Sequence, residues 1–308
     1  MRRVLLVVVL IVAAAVLGLW RANGGVRQGL SKAIGMSSDD SQGEARDEIR
    51  KSFQLQPGAR IEIRGINGSV EVQTSDTKTA EIYVLRTGSS REALNRREII
   101  IEQMTNVLVV HGESRRVGFW EHLFGHSPNE QVTIKAPRQI ALTLTGVNGR
   151  VSSGDIEGAL ELRGVNGKVE LGQARTSIQI SGVNGNIGVG MKQLGDGGAR
   201  LSGVNGNIEL RLSKDLNADL TARGMNGNLR SDIPEVNVEK DDHGSRYAAH
   251  IGNGGAPITI SGINGNVRLM RAESSATGPG STDQKSAAST QKEGATTTES
   301  KARQKPGQ

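Results

Sequence analysis

Short runs in which apolar and polar residues alternate recur between residues 53 and 270, and most of them flank one tetrapeptide. Alternation with a period of two is typical of strands that bury one face, and Asn-Gly is typical of tight turns. Each copy therefore predicts a strand, a turn and a second strand. The tetrapeptide is Gly, then Val, Ile or Met, then Asn and Gly, and it begins at Gly65, Gly146, Gly164, Gly182, Gly203, Gly224 and Gly262.

Two architectures fit this repeat. Successive motifs lie 81, 18, 18, 21, 21 and 38 residues apart. A β-solenoid with one coil per 18–21 residues explains the nearly constant period, whereas an antiparallel meander explains the hairpin preference of Asn-Gly. We favour an all-β fold built as a β-solenoid of G-x-N-G coils. The 38-residue spacing then predicts two coils, with one degenerate turn around residues 233–255.

One asparagine recurs in register in every motif, which predicts a ladder of side-chain amides along stacked coils. The ladder would contain Asn67, Asn148, Asn166, Asn184, Asn205, Asn226 and Asn264. A row of amides can also bind a glycan. We favour a structural ladder, because buried amides are normally satisfied by one another. The last four repeats add a second asparagine, at Asn186, Asn207, Asn228 and Asn266.

The N-terminal residues 1–22 predict a transmembrane anchor. Val4 to Trp20 carries no charge, and as a helix it would span about 26 Å of a hydrocarbon core about 30 Å thick. We expect a single-pass membrane protein with its bulk exported to the periplasmic or extracellular face. The alternative is a signal peptide cleaved after Ala13-Ala14-Ala15 and a secreted protein. Such a cleavage would leave an apolar stub, which favours the anchor.

The remaining boundaries follow from composition and pattern. Residues 23–52 predict a linker with a short helix near Glu44–Lys51, and residues 53–136 predict an N-terminal β segment with a helical and aromatic insert. Within that segment the pattern predicts a helix over Ser90–Glu98 with Ser90 as its N-cap. Residues 137–270 hold the solenoid repeats. Residues 271–308 are rich in Ser, Thr, Ala and Gly, which predicts a disordered tail.

Amino-acid composition limits which side chains can fill the core and which kinds of site are possible. Of 308 residues, 41 are Gly and only 7 are aromatic, so the core must be narrow and aliphatic. The chain has no cysteine, which excludes a disulfide scaffold and a cysteine nucleophile. The net charge is +6, but most of that excess lies in the two flanks. A nucleic-acid-binding protein would concentrate its excess positive charge on the folded domain, so we expect no nucleic-acid partner.

One cluster of aromatic residues interrupts the pattern. Phe119, Trp120 and Phe124 fall within six residues and predict either a surface that contacts a partner or a cap over one end of the solenoid. His122 and His126 have a spacing that can bind a metal on a helix. Gly125 breaks that helix and no third ligand is evident, so we assign no metal, catalytic or cofactor-binding residue.

A family resemblance rests on three elements in order. The run Val132–Pro137 is followed by Ile140–Leu144 and then by repeated G-V-N-G-x-V/I. This order resembles the DUF4097 family, whose members are also called putative adhesins or toast-rack-like β-solenoids. The resemblance covers residues 53–270. It implies a right-handed, β-helix-like domain, often on a bacterial membrane anchor, with no established catalytic residues and with some relatives linked to envelope stress.

Three functions remain open at this point. The leading hypothesis is a non-enzymatic, membrane-anchored envelope protein that binds or scaffolds cell-wall polymer, glycan or an envelope protein, without a cofactor. The first alternative is a carbohydrate-active β-helix enzyme whose carboxylates converge in a groove, with Asp155, Glu157, Glu170 and Glu209 as candidates. The second alternative is a bactofilin-like scaffold that assembles through open solenoid ends.

Overall fold

The computed structural model describes residues 45–114, 127–241 and 246–272, which form strands and one short helix, α1 (Arg91–Asn95). The strands in chain order are β1 (Ala45–Gln54), β2 (Arg60–Arg64), β3 (Val70–Ser75), β4 (Thr79–Gly88), β5 (Arg97–Met104), β6 (Val107–Ser114), β7 (Asn129–Pro137), β8 (Ala141–Asn148), β9 (Val151–Ser153), β10 (Leu160–Asn166), β11 (Val169–Ala174), β12 (Ile178–Asn184), β13 (Ile187–Met191), β14 (Ala199–Asn205), β15 (Ile208–Leu212), β16 (Ala218–Asn226), β17 (Leu229–Ser231), β18 (Val238–Lys240), β19 (Arg246–Ile251), β20 (Ala256–Asn264) and β21 (Val267–Arg271).

Two sheets of ten and eleven strands face each other, and each coil contributes one strand to each sheet. Strands β10 and β12 pair in parallel, with Asn166 opposite Asn184, and β11 and β13 do the same in the other sheet. The Gly-x-Asn-Gly turn carries the chain from one sheet to the other within a coil. Parallel pairing of successive repeats confirms the all-β fold and excludes a meander for the repeat region, since a meander pairs its strands antiparallel.

The space between the sheets holds one aliphatic core. In β10, Leu160 and Leu162 are buried while Glu161 between them is partly exposed, as the alternating sequence pattern predicts. Among the described residues, the core cluster contains a single fully buried aromatic side chain, Tyr247. Side chains of Val, Ile and Leu stack from coil to coil, which explains how a chain with few aromatics still builds a continuous core.

The coils do not stack in sequence order at either end. Strand β2 pairs with β6 on one side and β8 on the other, so the coil β6/β7 lies outside the coil β2/β3. At the opposite end, β20 lies between β14 and β16. The 81-residue spacing therefore includes one complete outer coil. Within the 38-residue spacing the chain first forms the outer strands β16 and β17 and then returns to form β20 and β21 between them and the preceding coil.

The expected degenerate coil around residues 233–255 is wrong. Strand β19 pairs antiparallel with β16, and β18 pairs antiparallel with β19. These two strands extend the eleven-stranded sheet beyond the last coil, so they cap the solenoid. The spacing of two repeat lengths misled the prediction because a hairpin of this length replaces a coil of similar length.

The expectation of a linker and short helix up to residue 52 is also wrong for residues 45–52. They belong to β1, which pairs antiparallel with β4 along ten residues, from Ala45 opposite Gly88 to Gln54 opposite Thr79. Only Ile49 and Phe53 of β1 pack on the core, and their spacing of four resembles a helix face. Backbone pairing with β4 selects the strand instead.

The helix expected over Ser90–Glu98 is confirmed but shorter. Helix α1 ends at Asn95, and β5 begins at Arg97. The Ser90 hydroxyl accepts a hydrogen bond from the Ala93 backbone N–H at 3.2 Å, so Ser90 is the N-cap. Ala93 and Leu94 are buried, which holds the helix against the end of the solenoid.

Both ends of the stack are covered within the described residues. At one end, Lys51 Nζ donates to the Ile101 carbonyl at 3.2 Å and Gln103 Nε2 donates to the Gln54 carbonyl at 2.7 Å, which ties β1 to β5 across the two sheets. At the other end, Arg271 pairs with Glu235 at 2.8 Å. The outermost strands are β1 and β5 at one end and β17 and β18 at the other, and the antiparallel strands among them interrupt the parallel repeat.

Several sequence predictions fall outside the described residues. They are the Val4–Trp20 span, the aromatic cluster of Phe119, Trp120 and Phe124, and the tail from residue 273 onward. In the part of the chain that the structure describes, no helix has the length and apolar character to cross a membrane.

Candidate binding site

The motif turns have backbone conformations that residues other than glycine rarely adopt. The first glycine of each motif has a φ near +60°, for example 63° at Gly164, and the second, in every motif except that of Gly149, has a φ near +150°, for example 152° at Gly185. A Cβ built on Gly185 would lie 2.1 Å from the carbonyl oxygen of Gly167 in the preceding coil. The second glycines therefore stack backbone on backbone, and this column presents no side chains.

The seven motif asparagines form one unbroken ladder beside this glycine column. Counted from Asn67, the Nδ2 of each later asparagine donates to the Oδ1 of the one before it at 3.0–3.2 Å. In spatial order the ladder runs Asn67, Asn148, Asn166, Asn184, Asn205, Asn264, Asn226. It ends where Asn67 Nδ2 donates to the Pro128 carbonyl at 2.9 Å. The order follows the stack of coils and not the sequence.

The ladder lies on the surface of the solenoid. Asn67 is half-buried, and the other six ladder asparagines are exposed. An amide carries two N–H donors and one oxygen with two lone pairs. An internal link uses one donor and one lone pair, so each amide keeps one donor and one lone pair for another partner. The ladder amides are thus not buried, contrary to the expectation from the sequence.

A second row of asparagines runs along the other side of the glycine column over four coils. Asn186 Oδ1 accepts from the backbone N–H of Asn207, and Asn207 Oδ1 accepts from that of Asn266, both at 3.0 Å. Asn266 in turn accepts from Asn228 at 3.0 Å. In these coils the two rows border a flat strip of glycine backbone. This strip and the two rows are called the amide face below.

A buried ion pair fixes the coil at the start of the ladder. Glu130 is fully buried and accepts from Arg97 Nε at 2.9 Å and from the Asn67 backbone N–H at 2.9 Å. Arg97 Nη2 also donates to the Gly65 carbonyl at 2.5 Å. These contacts join β5, β7 and the first motif turn. Sequence reasoning missed them, because no local pattern links residues 33 or 63 positions apart.

The carboxylates considered for catalysis do not meet in one groove. Arg211 reaches Glu170 at 3.1 Å and Glu209 at 4.0 Å, so it separates and neutralises the two. Asp155 accepts from the Gln173 backbone N–H at 2.8 Å, and Glu157 faces Arg175 at 3.9 Å. Each is thus held by a neighbour in the solenoid. The part of the chain described here also contains no group of three or more His, Asp or Glu side chains placed to bind a metal.

One exposed acid–imidazole pair lies at the far end of the stack. The Gly255 backbone N–H donates to Asp219 Oδ2 at 2.9 Å, and His250 Nδ1 lies 2.7 Å from Asp219 Oδ1. The hydrogen bond from Gly255 is the main cause that holds the pKa of Asp219 below its ordinary value, and His250 adds to it. The pair joins β16 to β19 and the following turn, so its place indicates a role in the cap.

Comparisons with known proteins assign no family. No family model matches the sequence, and no curated protein does. Solved structures that align with it include a putative cell adhesion protein from Clostridium sporogenes, at 12% identity over 73% of this chain and 100% of the other, with a TM-score of 0.36. A putative adhesin from Bacteroides fragilis aligns at 8% identity over 73% and 97%, with a TM-score of 0.30. A putative adhesin from Parabacteroides merdae aligns at 13% identity over 73% and 97%, with a TM-score of 0.27.

Proposed function

We propose that this chain is a non-enzymatic envelope protein whose solenoid acts as an adhesin-like binding module, with the amide face as its contact surface. The ligand class is a polymer rich in hydroxyl groups, as in a cell-wall glycan. The observation that carries the proposal is the ladder of seven amides, six of them exposed, in which each internal amide keeps one unused donor and one unused lone pair.

The spacing of the amides suits a polymer better than a small molecule. Adjacent strands in a sheet lie about 4.8 Å apart, so the ladder repeats the same donor and acceptor at that interval along the stack. A hydroxyl group can both donate and accept, so it can satisfy both free positions of one amide. A single such contact contributes little in water. A row of them on a rigid support contributes in proportion to its length.

The surroundings of the ladder support binding without catalysis. The two asparagine rows are uncharged, Arg150 and Lys168 take the second-row position in two other coils, and the candidate carboxylates are held by neighbours in the solenoid. The antiparallel strands β1 and β5 at one end and β18 and β19 at the other interrupt the parallel repeat, which weighs against a bactofilin-like filament that stacks coil on coil.

The test is a cosedimentation assay with insoluble glycans. The full-length chain, purified in detergent micelles, is mixed with peptidoglycan sacculi, chitin and cellulose in parallel, and bound protein is measured against glycan concentration. We expect binding to at least one glycan, and we expect Asn184→Ala combined with Asn205→Ala to weaken it at least about tenfold, since two adjacent amides are lost.

The matched control is Gln179→Ala, which removes an exposed amide from β12 outside the ladder. Thermal unfolding of each variant establishes that it is folded. If the chain binds none of the glycans, or if the control variant loses as much affinity as the ladder variant, the amide face is not the binding surface.

The proposal places the module on a membrane through Val4–Trp20, exported from the cytoplasm, and within the DUF4097 family. The uncharged apolar run and the order of motifs in residues 132–149 support it. Alkaline extraction of cell membranes tests the anchor. We expect the full chain to stay in the pellet and a variant with Leu10 and Val12 both changed to Asp to enter the supernatant. Release of the unmodified chain would favour a cleaved signal peptide.

A further inference from the structure

A groove of about 580 Å³ crosses the outer side of the ten-stranded sheet at its N-terminal end, away from the motif turns. Four strands form its floor, in the spatial order β1, β4, β7, β3. Arg50 lies opposite Tyr83, and Tyr83 lies opposite Thr133. One step along the strands, Ser52 lies opposite Glu81, and Glu81 lies opposite Lys135. Residues far apart in sequence therefore meet on one surface.

Cations outnumber carboxylates in the groove. Its lining includes Arg50 and Lys135 on the outer face with one acid, Glu81, whereas the Lys51 side chain points away and donates to the Ile101 carbonyl. The ammonium group of Lys135 lies 3.9 Å from Glu81, and both side chains are about 60% exposed. A pair at that distance and exposure interacts weakly. Lys135 can therefore bind another anion at little cost.

The aromatic ring of Tyr83 holds the second cation in place. The guanidinium carbon of Arg50 lies 5.0 Å from the centre of the Tyr83 ring, which is within the range of a cation–π contact. One guanidinium nitrogen donates to Glu48 at 3.2 Å. A guanidinium has five N–H donors in a fixed plane, so most of them remain for a ligand carboxylate.

The two cations lie at opposite corners of the groove, on different strands and two positions apart along them. Arg50 and Lys135 stand on strands two places apart, which is about 10 Å across the sheet. Tyr83 and Glu81 of β4 lie between them, and the hydroxyl groups of Ser52 and Thr133 lie beside them on β1 and β7. Such groups form hydrogen bonds with hydroxyls, whereas the cations at either side match carboxylates.

From this arrangement we propose that the groove binds an acidic polysaccharide, with Arg50 and Lys135 on successive carboxylates and Tyr83 as a positioning residue for Arg50. The site is separate from the amide face and does not depend on the function proposed for it. An acidic glycan would contact the outer face of one sheet, while the amide face contacts hydroxyls at the turns.

The experiment compares two forms of one polymer. Binding of the full-length chain in detergent micelles is measured by biolayer interferometry with polygalacturonate and with its methyl ester, which has the same backbone without the charge. We expect at least about tenfold tighter binding to polygalacturonate. Lys135→Gln should weaken that binding about tenfold, and Tyr83→Ser about threefold, whereas Tyr83→Phe keeps the ring and the affinity.

The control is Lys192→Gln, which removes an exposed positive charge elsewhere on the solenoid. We expect it to change the affinity by less than about twofold, and the Asn184→Ala and Asn205→Ala variant to leave it unchanged. Lys135 is exposed, so its substitution tests the groove even if a Tyr83 variant fails to fold. Equal binding to the methyl ester, equal losses for the Lys135 and Lys192 variants, or equally tight binding of polyphosphate would overturn the proposal.

Discussion

The middle of the solenoid and its N-terminal end are built on different principles. From β8 to β15 the coils stack in sequence order, their strands pair in parallel, and their motif turns repeat almost identically. At the N-terminal end the first coil in sequence is covered by a later one, β1 and β5 pair antiparallel with their neighbours, and a helix closes the gap. The middle is repetitive, whereas the end is assembled from distant segments.

The two regions also differ in where they bury charge. Within the described residues, the buried charged side chains are Arg86 and Glu130, and both lie at the N-terminal end. Arg86 pairs with Asp47 at 2.9 Å and donates to the carbonyls of Leu94 and Arg97. A repeat can rely on glycine turns and aliphatic stacking, but an end has no next coil to supply those contacts. Polar contacts then join the cap to the stack.

The largest effect is expected in the middle, from the glycine column. Gly185→Ala would place a Cβ 2.1 Å from the Gly167 carbonyl oxygen at a φ of 152°. Strain and overlap together should lower the free energy of unfolding by about 4 kcal/mol, measured by chemical denaturation. Gly195→Ala is the control, because no atom lies within 4 Å of its added Cβ. A similar loss of stability in both variants would show that the close backbone contact between the second glycines does not constrain how the coils stack.

The next effect is expected at the N-terminal end. Glu130→Gln leaves Arg97 without its carboxylate in a site where Glu130 is fully buried, which should cost about 3 kcal/mol. The control is Glu235→Gln, which breaks the exposed pair with Arg271 and should cost less than about 1 kcal/mol. Equal losses in chemical denaturation would mean that the N-terminal end does not depend on its buried ion pair.

A smaller effect is expected from a single rung of the ladder. Asn184→Ala removes the link to Asn166 and the link from Asn205, each 3.2 Å long and exposed. The free energy of unfolding should fall by about 1 kcal/mol, since exposed hydrogen bonds exchange with water. Gln179→Ala should change it by less than half of that. A loss as large as that of Gly185→Ala would make the ladder a main source of stability.

The smallest effect is expected at the C-terminal cap and depends on pH. Because folding lowers the pKa of Asp219, the stabilisation is present above the ordinary Asp value of about 3.9 and is lost as the pH falls through the lower folded value. Hydrogen exchange of β19 should therefore speed up relative to β12 below about pH 4. Asp219→Asn should abolish this difference in pH dependence. If the variant keeps it, another group is responsible.

The repeat region could be predicted from sequence, and the ends could not. Period-two alternation around each motif locates β10, β12 and β14, and the motif asparagines identify every member of the ladder. The spatial order of the coils depends on which strand pairs with β2 and β14, and no local pattern encodes that choice. The cationic groove was missed for the same reason, since its four strands lie in three separate stretches. The alternation around Ile82 and Val84 could have shown that Tyr83 faces outward.

The central claim is that one row of amides runs unbroken through coils that are out of sequence order. The chain has no cysteine, so introduced pairs report proximity without interference. Asn205→Cys with Asn264→Cys should form a disulfide under mild oxidation, because these positions are paired neighbours on β14 and β20. Asn205→Cys with Asn226→Cys should not, because the strand β20 lies between theirs and the two positions are about 10 Å apart. A disulfide in the second pair and none in the first would contradict the claim, since coils stacked in sequence order would bring residues 205 and 226 together.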